Sequence, residues 1–273
     1  MAYIEANATF DASAYAAPVV GIAADLGASH DSLLHQHEHD QLLFAASGCM
    51  SVTLDHQWLV LPPTRAAWIP AGVPHRVQLR GAVAYRSIYV QPELLQEKGV
   101  AVSPTRALVC QVNPLLREII ERMALAAFDF DWSQPAAQHL LQVWADELVG
   151  ATVLTGALSW PLHPRVRQAL ATYEAGSVLP SLTELALETH LHAKTLTRVF
   201  QRDTGLGYQE WAQQWRLQRA IEALAEAHSI SDVAQLLAFA SDSAFIAFFK
   251  RQLGVTPKQF VLSMRVSDKK IPQ

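Results

Sequence analysis

Three histidines alternate in the segment HQHEHDQLLF, at His35, His37 and His39. Alternate side chains of a β-strand project from the same face, so a strand here would present the three imidazoles together. Imidazole is the commonest protein ligand for transition metals, and it also forms hydrogen bonds with organic molecules. The spacing therefore indicates a metalloenzyme site, a pocket that senses a small molecule, or a polar strand that is merely rich in histidine.

A fourth histidine, His75, ends the segment PAGVPH. Together with His35-x-His37 and with Gln41, this P-x-G-x-x-H pattern resembles the two sequence motifs of cupin domains. The resemblance implies that His35, His37, Gln41 and His75 line the inside of a small β-barrel. His39 is not part of the motif.

Gln41 stands where the cupin motif has a carboxylate, and a neutral amide is a poor metal ligand. We therefore expect these residues to hold a small organic effector. A divalent ion on His35, His37 and His75 is the alternative use of the same pocket, because three neutral imidazoles can bind a metal. No other cofactor is expected.

Short segments rich in β-branched and aromatic residues must position these side chains. We predict strands at 41–48, 50–55, 57–62, 66–70, 75–80 and 82–90, and Gly48 and Gly81 are among the residues expected to separate them. Many short strands with regular turn signals are typical of a β-sandwich or a small barrel. Helical periodicity then predicts helices at Pro114–Ala127 and Gln134–Leu154, and two prolines indicate a linker at Leu158–Pro164.

Composition limits the class of protein. The chain has 273 residues, of which 51% are apolar and 17% charged, which suits two folded domains and excludes a disordered chain. No apolar run is long enough for a membrane span, no secretory signal is visible at the N-terminus, and there are two cysteines, so we expect a cytoplasmic protein without disulfides. Residues 1–163 carry 8 basic and 15 acidic side chains, whereas 164–273 carry 13 and 10. Residues 1–163 and residues 164–273 are therefore expected to have different functions.

The C-terminal part contains an internal repeat. LTELALETHL (182–191) matches ISDVAQLLAF (230–239) at an offset of 48, and the residues that follow match at an offset of 49. Each copy begins with a capping signal, Ser181 before Glu184 and Ser229 before Asp232. The spacing predicts two helix-turn-helix units, with one longer helix, EWAQQWRLQRAIEALAE, between them.

The exposed side of the second helix in each copy distinguishes a DNA-binding unit from an ordinary helical bundle. A bundle surface would mix charges, whereas the first copy has no acidic residue on this side before Asp203. We predict DNA contacts in the first copy from Lys194, Thr195, Thr197, Arg198, Gln201 and Arg202. In the second copy the corresponding residues are Ser243, Ala244, Ala247, Lys250 and Arg251. Two alanines cannot bond a base, so the second copy is predicted to position the protein rather than to read sequence.

Residues Pro164–Val261 resemble the DNA-binding region of AraC/XylS-type transcription regulators. The motifs that carry the resemblance are LTELA, LTRVFQRDTG and WRLQRAIEAL, followed by ISDVAQLLAFASDSAFIAFFKRQLGVTPKQF. The resemblance implies that Lys194, Thr197 and Arg198 read bases in the first unit. It also strengthens the interpretation of the first half, because this family often uses a cupin-like effector domain.

The sequence therefore predicts an α+β protein of two domains. We expect a cupin-like effector domain at 1–104, coupling or dimerisation helices at 105–157, a linker at 158–163 and a double helix-turn-helix domain at 164–273. The predicted function is an effector-responsive transcription regulator, not an enzyme, whose partners are promoter DNA, a second copy of the chain and RNA polymerase. The alternatives are a cupin metalloenzyme of the dioxygenase or isomerase type with a helical appendage, and a regulator without an effector.

Overall fold

The structure is a computed structural model, and it describes residues 10–27, 30–54, 56–99, 107–154, 157–173 and 178–265. The chain forms two compact units. The first consists mainly of residues up to Leu54 and Leu61–Ala157, and the second of Leu158–Ser263 together with the short segment 55–60. The predicted boundary between residues 104 and 105 lies outside the described residues. Within the described ranges, no helix has the length and apolar character needed to cross a membrane.

The first unit is built on antiparallel strands. The strands of the chain are β1 (Val19–Leu26), β2 (Asp40–Leu54), β3 (Gln57–Leu61), β4 (Arg65–Ile69), β5 (His75–Val90), β6 (Leu108–Gln111), β7 (Val153–Leu154) and β8 (Leu158–Ser159). Six of them follow one another in a sheet in the order β1-β5-β2-β4-β6-β7. The sequence did not predict β1 or β6.

Strands β2 and β5 are each a single long strand, so the expected breaks at Gly48 and Gly81 are wrong. Both glycines have a positive φ, 77° and 83°, and the pairing of β2 with β5 shifts register between Ala45 and Cys49. A Cβ at position 48 would lie 2.2 Å from the carbonyl oxygen of Ala82. Glycine is therefore required for bulges that bend the paired strands without ending them.

Helices cover one face of this sheet. They are α1 (Pro92–Glu97), α2 (Pro114–Ala124) and α3 (Pro135–Gly150). Their buried residues share a core with Leu42, Phe44, Trp68 and Ile88, so these four side chains point toward α2 and α3. The predicted helix at Gln134–Leu154 ends earlier than expected, because Val153–Leu154 pairs with β6. The opposite face of β2, β4 and β5 remains for a binding site.

The second unit is helical. Its helices are α4 (Pro164–Ala171), α5 (Leu182–Thr189), α6 (Ala193–Thr204), α7 (Tyr208–Ala225), α8 (Ile230–Leu236), α9 (Asp242–Leu253) and α10 (Pro257–Arg265). The two predicted capping boxes, at Ser181 and Ser229, are both present. The predicted α+β architecture, with a sheet-rich unit and a helical unit, is confirmed.

The internal repeat is also visible in the backbone. His190 and Ala238, which lie 48 residues apart, both have a φ of 53° in the turn between the paired helices. Gly205 and Gly254, 49 residues apart, end α6 and α9 with φ values of 73° and 75°. α5–α6 and α8–α9 are therefore two versions of one helix-turn-helix unit, joined by α7.

The segment predicted as a linker is anchored to the helical unit. Leu158–Ser159 form β8, which pairs with β3. The buried ring of Trp160 lies 5.5 Å from that of Trp211, whose indole Nε1 donates a hydrogen bond to the carbonyl of Ser159 at 2.8 Å. The two prolines correctly indicate the absence of a helix there, but they do not imply a free chain.

Candidate functional site

His35, His37 and His75 come together beside the first residues of β5. The backbone amide of His35 donates to the carbonyl of His75 at 2.9 Å, and the amide of His75 donates to the carbonyl of His35 at 2.8 Å. The ring centre of His75 lies 4.3 Å from that of His35 and 5.0 Å from that of His37. These backbone bonds fix one histidine on each of two chain segments, so the cluster is a feature of the fold.

The alternating spacing of the histidines is not what groups them. Strand β2 begins at Asp40, and the chain bends at Glu38 and His39 just before it. Nδ1 of His37 lies 2.6 Å from the carbonyl oxygen of His39. His39 is buried, and its Nδ1 has no hydrogen-bond partner among the described residues. The bend thus directs His37 toward His75 and leaves His39 outside the cluster of rings.

Gln41 links His37 to two hydroxyl groups. One end of its buried amide lies 3.2 Å from Nε2 of His37, and the other end lies 2.9 Å from Oγ of Ser87 and 3.1 Å from the hydroxyl of Tyr89. Burial lowers the pKa of His37, so its ring is neutral and carries its single proton on Nδ1, facing the carbonyl of His39. Nε2 then accepts, and the amide nitrogen of Gln41 must be the end that faces it.

His75 has a buried acceptor without a donor. The residue has no exposed surface, and Nδ1 donates toward the carbonyl of Val73 at 2.9 Å. Burial lowers the pKa of His75 to about 4, so the ring is neutral and Nε2 carries a lone pair. No described residue hydrogen-bonds to that Nε2. A buried polar atom without a partner costs about 1–3 kcal/mol, which points to a ligand that supplies the missing partner.

A metal ion is not supported by this arrangement. In the described part of the chain, no group of three or more His, Cys, Asp or Glu side chains is placed to hold one. The lone pair of His37 is also already engaged by Gln41. The divalent ion on His35, His37 and His75 stays a prediction, and no step proposed below uses it.

Sequence reasoning missed Tyr85, Ser87 and Tyr89. They alternate in AVAYRSIYV with Arg86 and Ile88, which face the helices. Three hydroxyl-bearing side chains at alternate positions of one strand were the available signal. The hydroxyls of these residues surround Gln41, at up to 3.5 Å for Tyr85.

The predicted DNA-contacting residues of α6 share one exposed face, opposite the buried Leu196, Val199 and Phe200. They are Lys194, Thr195, Thr197, Arg198, Gln201 and Arg202. Three of them also have local bonds: Thr197 donates to the carbonyl of Ala193, Gln201 donates to the carbonyl of Gly205, and Arg202 pairs with Asp203 at 2.6 Å. The ion pair makes Arg202 less available for DNA than Lys194 or Arg198.

Helix α9 presents the corresponding face of the second unit. Ser243, Ala244, Ala247, Lys250 and Arg251 are all exposed, and the opposite side buries three phenylalanines. The Oγ atom of Ser241 caps the helix by accepting from the amide of Ala244 at 3.2 Å. Small residues therefore occupy the first half of the exposed face, and the two cations occupy its last turn.

Two family models match the chain. The model described as an AraC-like ligand binding domain matches residues 19–142, and the one described as a helix-turn-helix domain matches residues 185–262. The chain is 29% identical over 231 residues to the HTH-type transcriptional regulator NimR of Escherichia coli strain K12, covering 84% of this chain and 82% of that protein. It is 32% identical over 142 residues to the HTH-type transcriptional regulator RipA of Corynebacterium glutamicum, covering 45% and 43%.

Solved structures that match the chain include ToxT from Vibrio cholerae strain SCE256, bound to an unsaturated fatty acid. It is 9% identical, with a TM-score of 0.38, over 91% of this chain and 96% of that one. The DNA-binding domain of AdpA, in complex with a target DNA, is 27% identical with a TM-score of 0.35, over 41% of this chain and 98% of that one.

Proposed function

We propose that one partly buried polar cluster is the effector site of this chain, an AraC-type transcription regulator with a ligand-binding domain and a helix-turn-helix DNA-binding domain. The cluster consists of His35, His37, Gln41 and His75. The observation that carries the proposal is the buried Nε2 of His75, which lacks a donor among the described residues. It lies within the part of the chain that matches the ligand-binding model.

The two helix-turn-helix units are proposed to have unequal roles on promoter DNA. Arg198 and Lys194 lie on the exposed face of α6, and arginine can bond guanine through two hydrogen bonds in the major groove. Ala247 takes the place of Arg198 in α9, and Lys250 and Arg251 follow it. We therefore assign base reading to α6 and phosphate contact to α9.

The proposed site binds its effector without converting it. Gln41 supplies an amide where a cupin metalloenzyme would have a carboxylate, and it is held among Ser87 and Tyr89 rather than left to coordinate. The alternative of a cupin metalloenzyme would require a metal that turns over a substrate. Analysis of metal content and turnover in protein purified without a histidine tag separates the two functions.

A second copy of the chain and RNA polymerase are the other proposed partners. The first unit exposes Leu115 on α2, and Val143 and Val149 on α3, and exposed apolar side chains on helices favour pairing of subunits. We further propose that the protein lies in the cytoplasm, where it has access to promoter DNA. We propose that it activates transcription there. Sedimentation of the full chain with and without DNA tests the dimer.

The proposed function is tested by the genomic fragments that the purified full chain retains, with and without an extract of small molecules. We expect a defined set of fragments, and an occupancy that changes with the extract. The change should disappear when His35, His37 and His75 are replaced by alanine. Retention of random fragments would contradict sequence-specific DNA binding, and an unchanged response of the variant would contradict the site.

A further inference from the structure

The ring N–H donors of the polar cluster face backbone carbonyl oxygens of the protein. Nδ1 of His35 faces the carbonyl of Leu33 at 3.1 Å, and the Nδ1 atoms of His37 and His75 also face carbonyl oxygens. A carbonyl oxygen can only accept, so each of these nitrogens carries the ring proton. Oγ of Ser32 also lies 3.3 Å from Nδ1 of His35, but its own hydrogen is donated to the carbonyl of Leu33 at 3.0 Å. With the proton on Nδ1, the lone pair of a neutral imidazole is on Nε2.

The hydroxyl donors are used as well. With the amide nitrogen of Gln41 turned to His37, its oxygen faces the hydroxyls of Ser87 and Tyr89, and an amide oxygen has two lone pairs to receive them. The third hydroxyl, that of Tyr85, is hydrogen-bonded to Tyr89. Gln41 thus satisfies one of the imidazoles and accepts from both nearer hydroxyls.

Two acceptors remain after this accounting. Nε2 of His75 is buried without a partner among the described residues, and the ring of His35 lies 4.3 Å from the ring of His75. In the described structure, no Lys or Arg side chain is hydrogen-bonded to these two rings. An anion placed here would meet two lone pairs, at the cost of losing its own hydration.

We propose that the cluster binds an uncharged small molecule that donates N–H or O–H groups to Nε2 of His75 and of His35. This inference rests on the proposed function, since it names the chemical class of the effector for the same site. A carboxylate is excluded by the same geometry, because the site offers acceptors where a carboxylate needs donors. In the protein alone, Nε2 of His75 lacks one hydrogen-bond donor, and the ligand supplies that donor.

The test uses three probes of similar size with the full chain, freed of metal by chelation: phenol, anisole and benzoate. Phenol donates a hydrogen bond, anisole has the same ring without a donor, and benzoate is an anion. We expect phenol to bind at least about tenfold more tightly than either, as measured by ligand-observed NMR. The preference should be lost in His75→Phe, which keeps a ring but removes the acceptor, and kept in His139→Gln, an exposed histidine of the same unit.

Each other result overturns the inference. Anisole or benzoate binding as tightly as phenol would reject the class of ligand, and binding that His75→Phe does not change would reject the acceptor. If none of the three probes bound, the inference that this cluster binds a hydrogen-bond donor would be rejected. Zn²⁺ added alone, if it bound in stoichiometric amount and was lost in His75→Phe, would replace the inference by a metal site. DNA binding by the same samples tests the proposed function separately, and a folded His75→Phe is confirmed by its thermal unfolding.

Discussion

His35 and His75 exchange two backbone hydrogen bonds, at 2.8 and 2.9 Å, and this pair of bonds holds their rings 4.3 Å apart. One of the two residues lies on β5 and the other on the segment that precedes β2. A ligand bound to both rings would therefore contact both chain segments at once. Loss of the rings should affect the response to a ligand more than the fold, because the backbone bonds do not depend on the side chains.

The first prediction concerns the response to an effector. Replacing His35, His37 and His75 together by alanine should abolish any ligand-dependent change in DNA binding, while the full chain still binds its DNA site. Fluorescence anisotropy with labelled site DNA measures both quantities. His139→Ala is the control, since this exposed histidine lies on α3. A triple variant that responds as the unmodified chain does would show that the effector binds elsewhere.

The second prediction separates base reading from phosphate contact. Arg198→Ala should relax the preference at one or two base pairs, with a loss of about 1–3 kcal/mol of discrimination. Lys250→Ala should weaken binding to all sequences about equally and reduce the slope of affinity against salt by about one ion. Binding to a library of randomised sites, repeated at several salt concentrations, measures both effects. If Lys250→Ala changed the base preference and Arg198→Ala did not, the two roles would be reversed.

The third prediction uses the left-handed residue of the second turn. Ala238 has a φ of 53°, a conformation that costs an L-residue with a Cβ roughly 1–2 kcal/mol and glycine almost nothing. Ala238→Gly should therefore raise the free energy of unfolding by about 0.5–1 kcal/mol, after the greater chain entropy of glycine is subtracted. Ala247→Gly, the same change in the middle of α9, should lower it by about 1 kcal/mol. Equal effects of the two changes in a urea titration would contradict this explanation.

The fourth prediction concerns pH. Asp203 accepts from Nε of Arg202 at 2.6 Å and from the amide of Leu162 at 2.8 Å, and these partners hold the pKa of its carboxyl below the usual range. A carboxyl with a lower pKa in the folded chain stabilises the fold above its unfolded pKa, about 4, and this contribution is lost as the pH falls through the folded pKa. Asp203→Asn should thus cost about 1 kcal/mol at pH 7.

The same reasoning gives the control for Asp203. The difference in melting temperature between Asp203→Asn and the unmodified chain should narrow as the pH is lowered below about 4. Asp242→Asn, at an exposed position of the first turn of α9, should show a smaller effect at pH 7. If the difference in melting temperature between Asp203→Asn and the unmodified chain stayed constant down to pH 2, ionisation of the Asp203 carboxyl would not be the source of its contribution to stability.

Local patterns made the helical unit predictable from sequence. The capping boxes at Ser181 and Ser229, the apolar periodicity and the repeat each depend on residues within a few positions of one another. The grouping of His35, His37 and His75 could also be predicted, because the motif brings together residues that are distant in the chain. The described structure brings the three together, although their roles as ligand contacts remain predictions.

Features that depend on distant contacts could not be predicted. Gly48 resembles a turn residue until its close approach to Ala82 is known, and that contact joins two strands. Trp160 lies in a segment whose prolines suggest a free linker, and only the position of Trp211 shows why it is anchored. The hydrogen bonds that hold the other end of the Gln41 amide likewise come from Ser87 and Tyr89, which are 46 and 48 residues away.

The change of offset in the repeat, from 48 to 49 residues, has a consequence for how such a chain can diverge after duplication. The extra residue lies between Ala238 and the start of α9, where three residues form the turn instead of the two after His190. An insertion inside either helix would rotate everything beyond it by about 100° and turn its buried side chains toward water. The turn absorbs the added residue without rotation, so Phe245 and Phe249 keep the buried places that Leu196 and Phe200 hold in the first copy. The turn before the second helix of the unit therefore tolerates a change in length, and a designer who wished to vary the spacing of the two helices proposed to contact DNA would start there.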